Sequence, residues 1–111
     1  DVFVLTAVPR LHWGIPNVVL ESLACARPVI VTALPSLVDV FGEDSGCVFL
    51  RGESEDELAA GAAEALVNLA RNPEERRRRG QAGRERVSEI FELHRCGQTM
   101  ANLLRQAAAK P

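Results

Sequence analysis

The chain has 111 residues, enough for one small domain. With 47 % hydrophobic and 25 % charged residues it has an ordinary globular balance, which excludes a disordered chain. A net charge of -2 offers no basic face for nucleic acid, and the apolar runs are far too short for a transmembrane segment.

In chain order, Val2 to Leu5 is a continuous β-favouring run, expected as a strand buried on both faces of a parallel sheet. Thr6 to Trp13 lacks periodicity, contains Pro9 and reads as a loop. A helix is expected from Pro16 or Asn17, with Pro in the first turn and Asn as a cap, ending by Arg27 because Pro28 follows. Val29 to Thr32 reads as a second buried strand, Ser36 to Val40 as a short helix, and Gly46 to Leu50 as a third strand. Asp39, Glu43 and Asp44 read as turn or cap acids.

The second half changes character. Ser54 to Glu57 (SEDE) is a capping box that opens a helix, with Leu58, Ala62, Leu66 and Leu69 proposed for one apolar face. Asn72 to Glu75 (NPEE) repeats the start signal, and the next helix is thin in apolar residues until Val87, Ile90 and Phe91. Arg76 to Arg79, set among Glu74, Glu75, Glu85 and Glu89, reads as a solvated face. A last helix carries Leu93, Met100, Leu103 and Leu104.

The series predicts an α/β fold: a partial doubly wound parallel sheet of about three strands, followed by C-terminal helices. Such a sheet leaves an exposed edge. The expectation is therefore a fragment of something longer, or self-association through that edge. Residues 1–53 would form the strand–helix region and 54–111 the helical one. Cys25, Cys47 and Cys96 are odd in number and show no metal-ligand spacing, so buried free thiols are expected, in keeping with a cytoplasmic setting. No carboxylate or histidine cluster suggests a metal.

Ligands of doubly wound sheets bind at the carboxyl ends of the strands, where the loop Thr6 to Trp13 and the following helix start belong. Free amides at a helix start favour a phosphate, Gly14 lets a ligand approach the backbone, and Glu21 lies about one turn further in. Taken alone, Glu21 is also the kind of acid that a helix dipole stabilises, and many strand–loop–helix units look this way. His12 reads as a solvated loop residue.

At these residues a resemblance appears. DVFVL, then GIPNVVLESLACARPVIVT, is similar to the C-terminal, Rossmann-like donor-binding domain of the family-4 (group 1) retaining glycosyltransferases, and NPEERRRRGQAGRERVSEIF resembles that family's Asn-Pro, Gly-x-x-Gly-Arg helix. The resemblance implies one half of a two-domain architecture, with the N-terminal acceptor domain absent, and cytoplasmic or peripheral at the membrane as a whole protein. It implies sugar transfer from a nucleoside-diphosphate sugar, a substrate with no cofactor beside it, to an acceptor hydroxyl. Glu21 matches the acid that holds the ribose hydroxyls; Gly14, Ile15, Asn17 and Val18 match the backbone lining the donor sugar and diphosphate. Trp13 falls where the family has its first acid, and its ring nitrogen can only donate. Ala26 stands where the family usually has Gly, and the Gly-Gly expected before Pro35 is absent. The alternatives are a degenerate, non-catalytic module or another sugar-nucleotide enzyme such as an epimerase.

Overall fold

The computed structural model describes residues 1–8 and 14–110. Three parallel strands, β1 (Phe3–Leu5), β2 (Val29–Thr32) and β3 (Cys47–Leu50), lie in the order β1-β2-β3. Helix α1 (Asn17–Ala24) joins the first pair and α2 (Pro35–Phe41) the second; α3 (Glu55–Arg71), α4 (Pro73–Phe91) and α5 (Leu93–Ala108) follow. The fold is α/β, as the alternation of apolar runs and helical periods implies. The register sets Val4 beside Ile30 and Ile30 beside Val48.

The central strand β2 is buried along its whole length. One face of the sheet carries the main core, in which Val19 and Leu23 of α1 meet Val31, Leu37, Phe41 and Phe49. On the other face, Ile30 and Leu50 pack against Leu69 of α3. The edge strand β1 departs from expectation: Phe3 and Leu5 reach the main core, but Val4 is 38 % exposed. Helix α3 packs on the neighbouring strands and, although Val2 joins the same cluster, leaves Val4 partly open.

Local start signals act largely as the residues imply. Ser54 Oγ accepts from Glu57 N–H at 3.2 Å, while Glu57 reaches back to Glu53 N–H at 2.7 Å. Asn72 caps α4 through Glu75 N–H at 3.4 Å, with Pro73 in the first turn. Helix α1 differs: Pro16 occupies the cap position, Asn17 is the first helical residue, and no side chain caps the start. On α3, Leu66 is exposed at 41 %, and Ala65 takes its place against the core. At about 100° per residue, Ala65 lies about 20° from the arc of Leu58, Leu69 and Ala62, whereas Leu66 lies about 40° beyond its other side.

Helix α4 is placed by close backbone approach at its middle and, in its second half, by Val87 and Phe91 against the main core. Gly80 and Gly83 are its buried residues. A Cβ on Gly80 would collide with the carbonyl oxygen of Ala26, and one on Gly83 would lie 2.5 Å from Leu23 Cδ2. The arginine run is correspondingly split, which corrects the expectation of one solvated face. Arg76 Nη1 donates to the Leu69 carbonyl at 2.5 Å, and Arg79 Nη1 to the carbonyls of Glu43 and Cys47 at 3.1 and 3.2 Å. Arg77 and Arg78 are the exposed pair. Further along, Arg86 Nε binds the Val40 carbonyl at 3.0 Å. These guanidinium groups satisfy carbonyls that helix ends, a turn and the edge strand β3 leave over.

The thiols also require correction. All three are free, but Cys25 and Cys96 are exposed and only Cys47 is buried. Burial pushes the Cys47 thiol up to about 12, against the opposing charge of Arg79. Cys25 caps the C-terminus of α1 with its side chain exposed, and Cys96 lies on α5, a helix with no buried residue. Leu93, Met100, Leu103 and Leu104 of α5 are 55–85 % exposed. No helix of the described residues is long and apolar enough to cross a membrane.

Candidate functional site

The β1–α1 and β2–α2 connections leave the sheet at the same edge, because parallel strands point their carboxyl ends one way. Helices α1 and α2 therefore both begin there. Gly14 adopts φ +101°, a conformation that side chains rarely tolerate, and a Cβ there would meet nothing within 4 Å. The constraint is thus backbone conformation and not packing. Pro16 then holds φ -64° and ψ 128°, and its carbonyl receives Val19 N–H at 3.1 Å.

With no capping side chain, the amides of Asn17 and Val18 at the start of α1 are the donors a helix leaves unsatisfied. The positive end of the helix dipole adds to their pull on an anion. Asn17 and Glu21, four residues apart, share one exposed helix face. Among the described residues no side-chain hydrogen bond engages Glu21. Ile15 packs its side chain partly buried against the main core. Val18 is 42 % exposed beside it.

The five expected residues Gly14, Ile15, Asn17, Val18 and Glu21 thus occupy one continuous surface at the carboxyl edge of the sheet. Trp13 and His12 lie outside the described residues. Two hydroxyls that sequence reading passed over belong to the same edge. Ser36 Oγ donates to the Gly14 carbonyl at 2.6 Å, and Thr32 Oγ1 accepts from Ala7 N–H at 3.0 Å. A hydroxyl at the last position of a buried strand, and another at the second position of the next helix, are the marks that could have flagged them. A separate hollow of about 360 Å³ lies between Thr6–Val8 and Glu55, Leu58 and Ala59 of α3. Among the described residues that line it, the one charge is the acid Glu55.

Among the described residues no three His, Cys, Asp or Glu side chains gather as a metal set would. The chemistry available at the edge is anion binding by amides next to hydrogen-bond acceptance by a carboxylate.

A family model described as glycosyl transferase-like matches residues 3–105, nearly the whole chain and all of this edge. The chain belongs to the glycosyl transferase-like family. Among curated members, it is 32 % identical over 88 residues to the MMP alpha-(1->4)-mannosyltransferase of Mycolicibacterium hassiacum, covering 78 % of this chain and 20 % of that one. It is 27 % identical over 103 residues to the alpha-maltose-1-phosphate synthase of Mycolicibacterium smegmatis, covering 91 % and 27 %. Among solved structures, sucrose-phosphate synthase from Thermosynechococcus elongatus superposes with a TM-score of 0.77 at 27 % identity, over 96 % of this glycosyl transferase-like chain and 25 % of the other. The chain therefore spans roughly a fifth to a quarter of the length of these relatives.

Proposed function

We propose that this chain is the donor-binding part of a retaining glycosyltransferase of the family-4 (group 1) type. It would serve a protein that moves a sugar from a nucleoside-diphosphate sugar to an acceptor hydroxyl. The observation that carries the reading is the uncapped start of α1, with Gly14 ahead of it and Glu21 one turn inside on the same exposed face as Asn17. The diphosphate lies against the amides of Ile15, Asn17 and Val18, and the Glu21 carboxylate accepts from the paired ribose hydroxyls. Negative charge grows on the diphosphate as the sugar departs, so donors fixed before the reaction stabilise that departure without reorganising. The acceptor and the rest of the catalytic apparatus come from chain outside these residues. The names of the relatives, a mannosyltransferase and two sugar-phosphate synthases, support sugar transfer over epimerisation.

One sequence feature favours a second reading, a module that binds donor without catalysing transfer: Trp13 stands where the family carries an acid. Glu21→Ala separates donor binding from mere packing. Loss of a hydrogen-bonded charge of this kind costs about 1.5–3 kcal/mol, or ~10- to 100-fold in affinity. In the full natural polypeptide, calorimetry with UDP, GDP and ADP should show that loss for whichever nucleotide binds best. Equal affinity with and without the carboxylate would refute its ribose role. Measurable multiple-turnover transfer by the same polypeptide would exclude the non-catalytic reading.

A further inference from the structure

We propose that Ser36 and Thr32 are positioning residues that set the backbone on either side of the β1–α1 loop and so aim the donor-binding amides; this rests on the donor reading above. Both belong to one stretch of five residues that runs from the last residue of β2 to the second of α2. That stretch is immobilised from beneath, because Leu34 and Leu37 are fully buried and Pro35 stiffens the first turn of α2.

Thr32 extends the sheet by one step with a side chain. In a parallel ladder the donors advance two residues at a time, and Phe3 N–H already sits on the Pro28 carbonyl at 3.0 Å. Continuing that pattern brings Ala7 N–H to Thr32. The Thr32 carbonyl, however, is taken by Leu34 N–H at 2.7 Å as the chain turns away. The hydroxyl accepts Ala7 N–H in its stead, at 3.0 Å. Thr32 is the one buried polar residue among those described, 4 % exposed, so the acceptor end of this half-buried bond is shielded from water.

Ser36 acts at the other flank. Its Oγ lies 2.6 Å from the Gly14 carbonyl, across 22 positions of sequence. A peptide unit is planar and trans, so drawing the Gly14 carbonyl toward α2 aims the Ile15 N–H the opposite way. The φ of +101° at Gly14 is what lets the chain turn to make this bond. A glycine alone would leave that peptide free to rotate; the serine fixes it. The two hydroxyls therefore pin Ala7 and Gly14 to a single rigid segment of the neighbouring crossover.

The test uses the full natural polypeptide with Thr32→Val, Thr32→Ser, Ser36→Ala and Ser36→Thr. Hydrogen exchange read by NMR should show the Ala7 amide exchanging about tenfold faster in Thr32→Val, and protected again in Thr32→Ser. Calorimetry with UDP, GDP and ADP should show the best binder weakened about three- to tenfold by Ser36→Ala and restored by Ser36→Thr. Unchanged nucleotide affinity in Ser36→Ala, or an equally protected Ala7 amide in Thr32→Val, overturns the positioning roles while leaving the donor reading intact. If none of the three nucleotides binds the unsubstituted polypeptide, the donor reading falls and this proposal falls with it.

Discussion

Gly80→Ala is the substitution on which the account of the fold depends most. In a helix interior, replacing glycine by alanine normally stabilises by about 1 kcal/mol. Here the added methyl would fall on the carbonyl oxygen of Ala26, 2.8 Å from the Ala26 carbonyl carbon and 3.5 Å from Pro28 Cδ. The obstacle is backbone, in a tight turn where Ala26 itself holds φ +54°, so no side chain can swing aside. Helix α4 must back away from α1, which loosens Gly83 against Leu23 and stretches the bonds from Arg79 to the Glu43 and Cys47 carbonyls. Overpacking of this kind costs about 1–3 kcal/mol, and the strained arginine bonds add to it. The net expectation is a loss of about 2–3 kcal/mol, a fall in Tm of roughly 10–20 °C for a domain of this size. Urea unfolding followed by circular dichroism measures it, with Gly97→Ala as the control. Gly97 sits in α5 with nothing within 4 Å of a Cβ, so that change should be neutral or stabilising. If Gly80→Ala proves as stable as Gly97→Ala, the close approach of α4 to α1 is wrong.

Three other outcomes follow from the same structure. Ala26→Gly should stabilise by about 0.5–1 kcal/mol, since glycine relieves the left-handed φ of +54° but loses more entropy on folding; no gain in the urea midpoint would contradict that conformation. In the native protein a thiol reagent such as Ellman's should titrate Cys25 and Cys96 quickly and Cys47 only after unfolding, and three fast thiols would refute the buried site. Hydrogen bonds from Arg78, and then from Arg79, hold the Glu75 carboxyl down at about 2 from an ordinary 4.5. A depressed carboxyl gives stability that is complete above its unfolded pKa and lost as pH falls through the folded one. Because Arg78 is half exposed, solvent screening reduces the contribution to about 1 kcal/mol. Glu75→Gln should therefore weaken the fold at neutral pH, and the difference should vanish between about pH 5 and pH 2; a difference independent of pH would exclude the charge as its cause.

What could be read from the residues was whatever depends on near neighbours. The β-branched run Val29–Thr32, the capping box at Ser54 and the Asn72-Pro73 start are local patterns, and each became the element it announces. The placement of Gly14 to Glu21 at the carboxyl edge of the sheet was legible for the same reason, because that stretch is one loop end and one helix turn. Features that depend on distant chain were not. Nothing within several residues of Arg76, Arg79 or Arg86 reveals that carbonyls of other elements will receive them. Cys25 reads as an apolar helix residue, yet its place at the last turn of α1 faces it outward. Ser36 and Thr32 are ordinary in sequence, and only the parallel register brings them to Gly14 and Ala7.

Helix α1 is consequently located from both ends by contacts that its own sequence does not contain. At the front, Ser36 fixes the peptide that leads into it; at the rear, Gly80 and Gly83 admit α4 against Ala26 and Leu23. With only eight residues, α1 is too short to persist on its own. Its direction, and hence the aim of its first amides, is inherited from these two contacts and from the burial of Val19 and Leu23. Two segments far apart in the chain, the glycine-spaced middle of α4 and the start of α1, thus form one mechanical unit. A defect at either end of α1 reaches the amides proposed to bind the donor through a displacement of the same short helix. Substitutions at Gly80 that leave the protein folded should then weaken nucleotide binding, although Gly80 packs at the opposite end of the helix from Gly14.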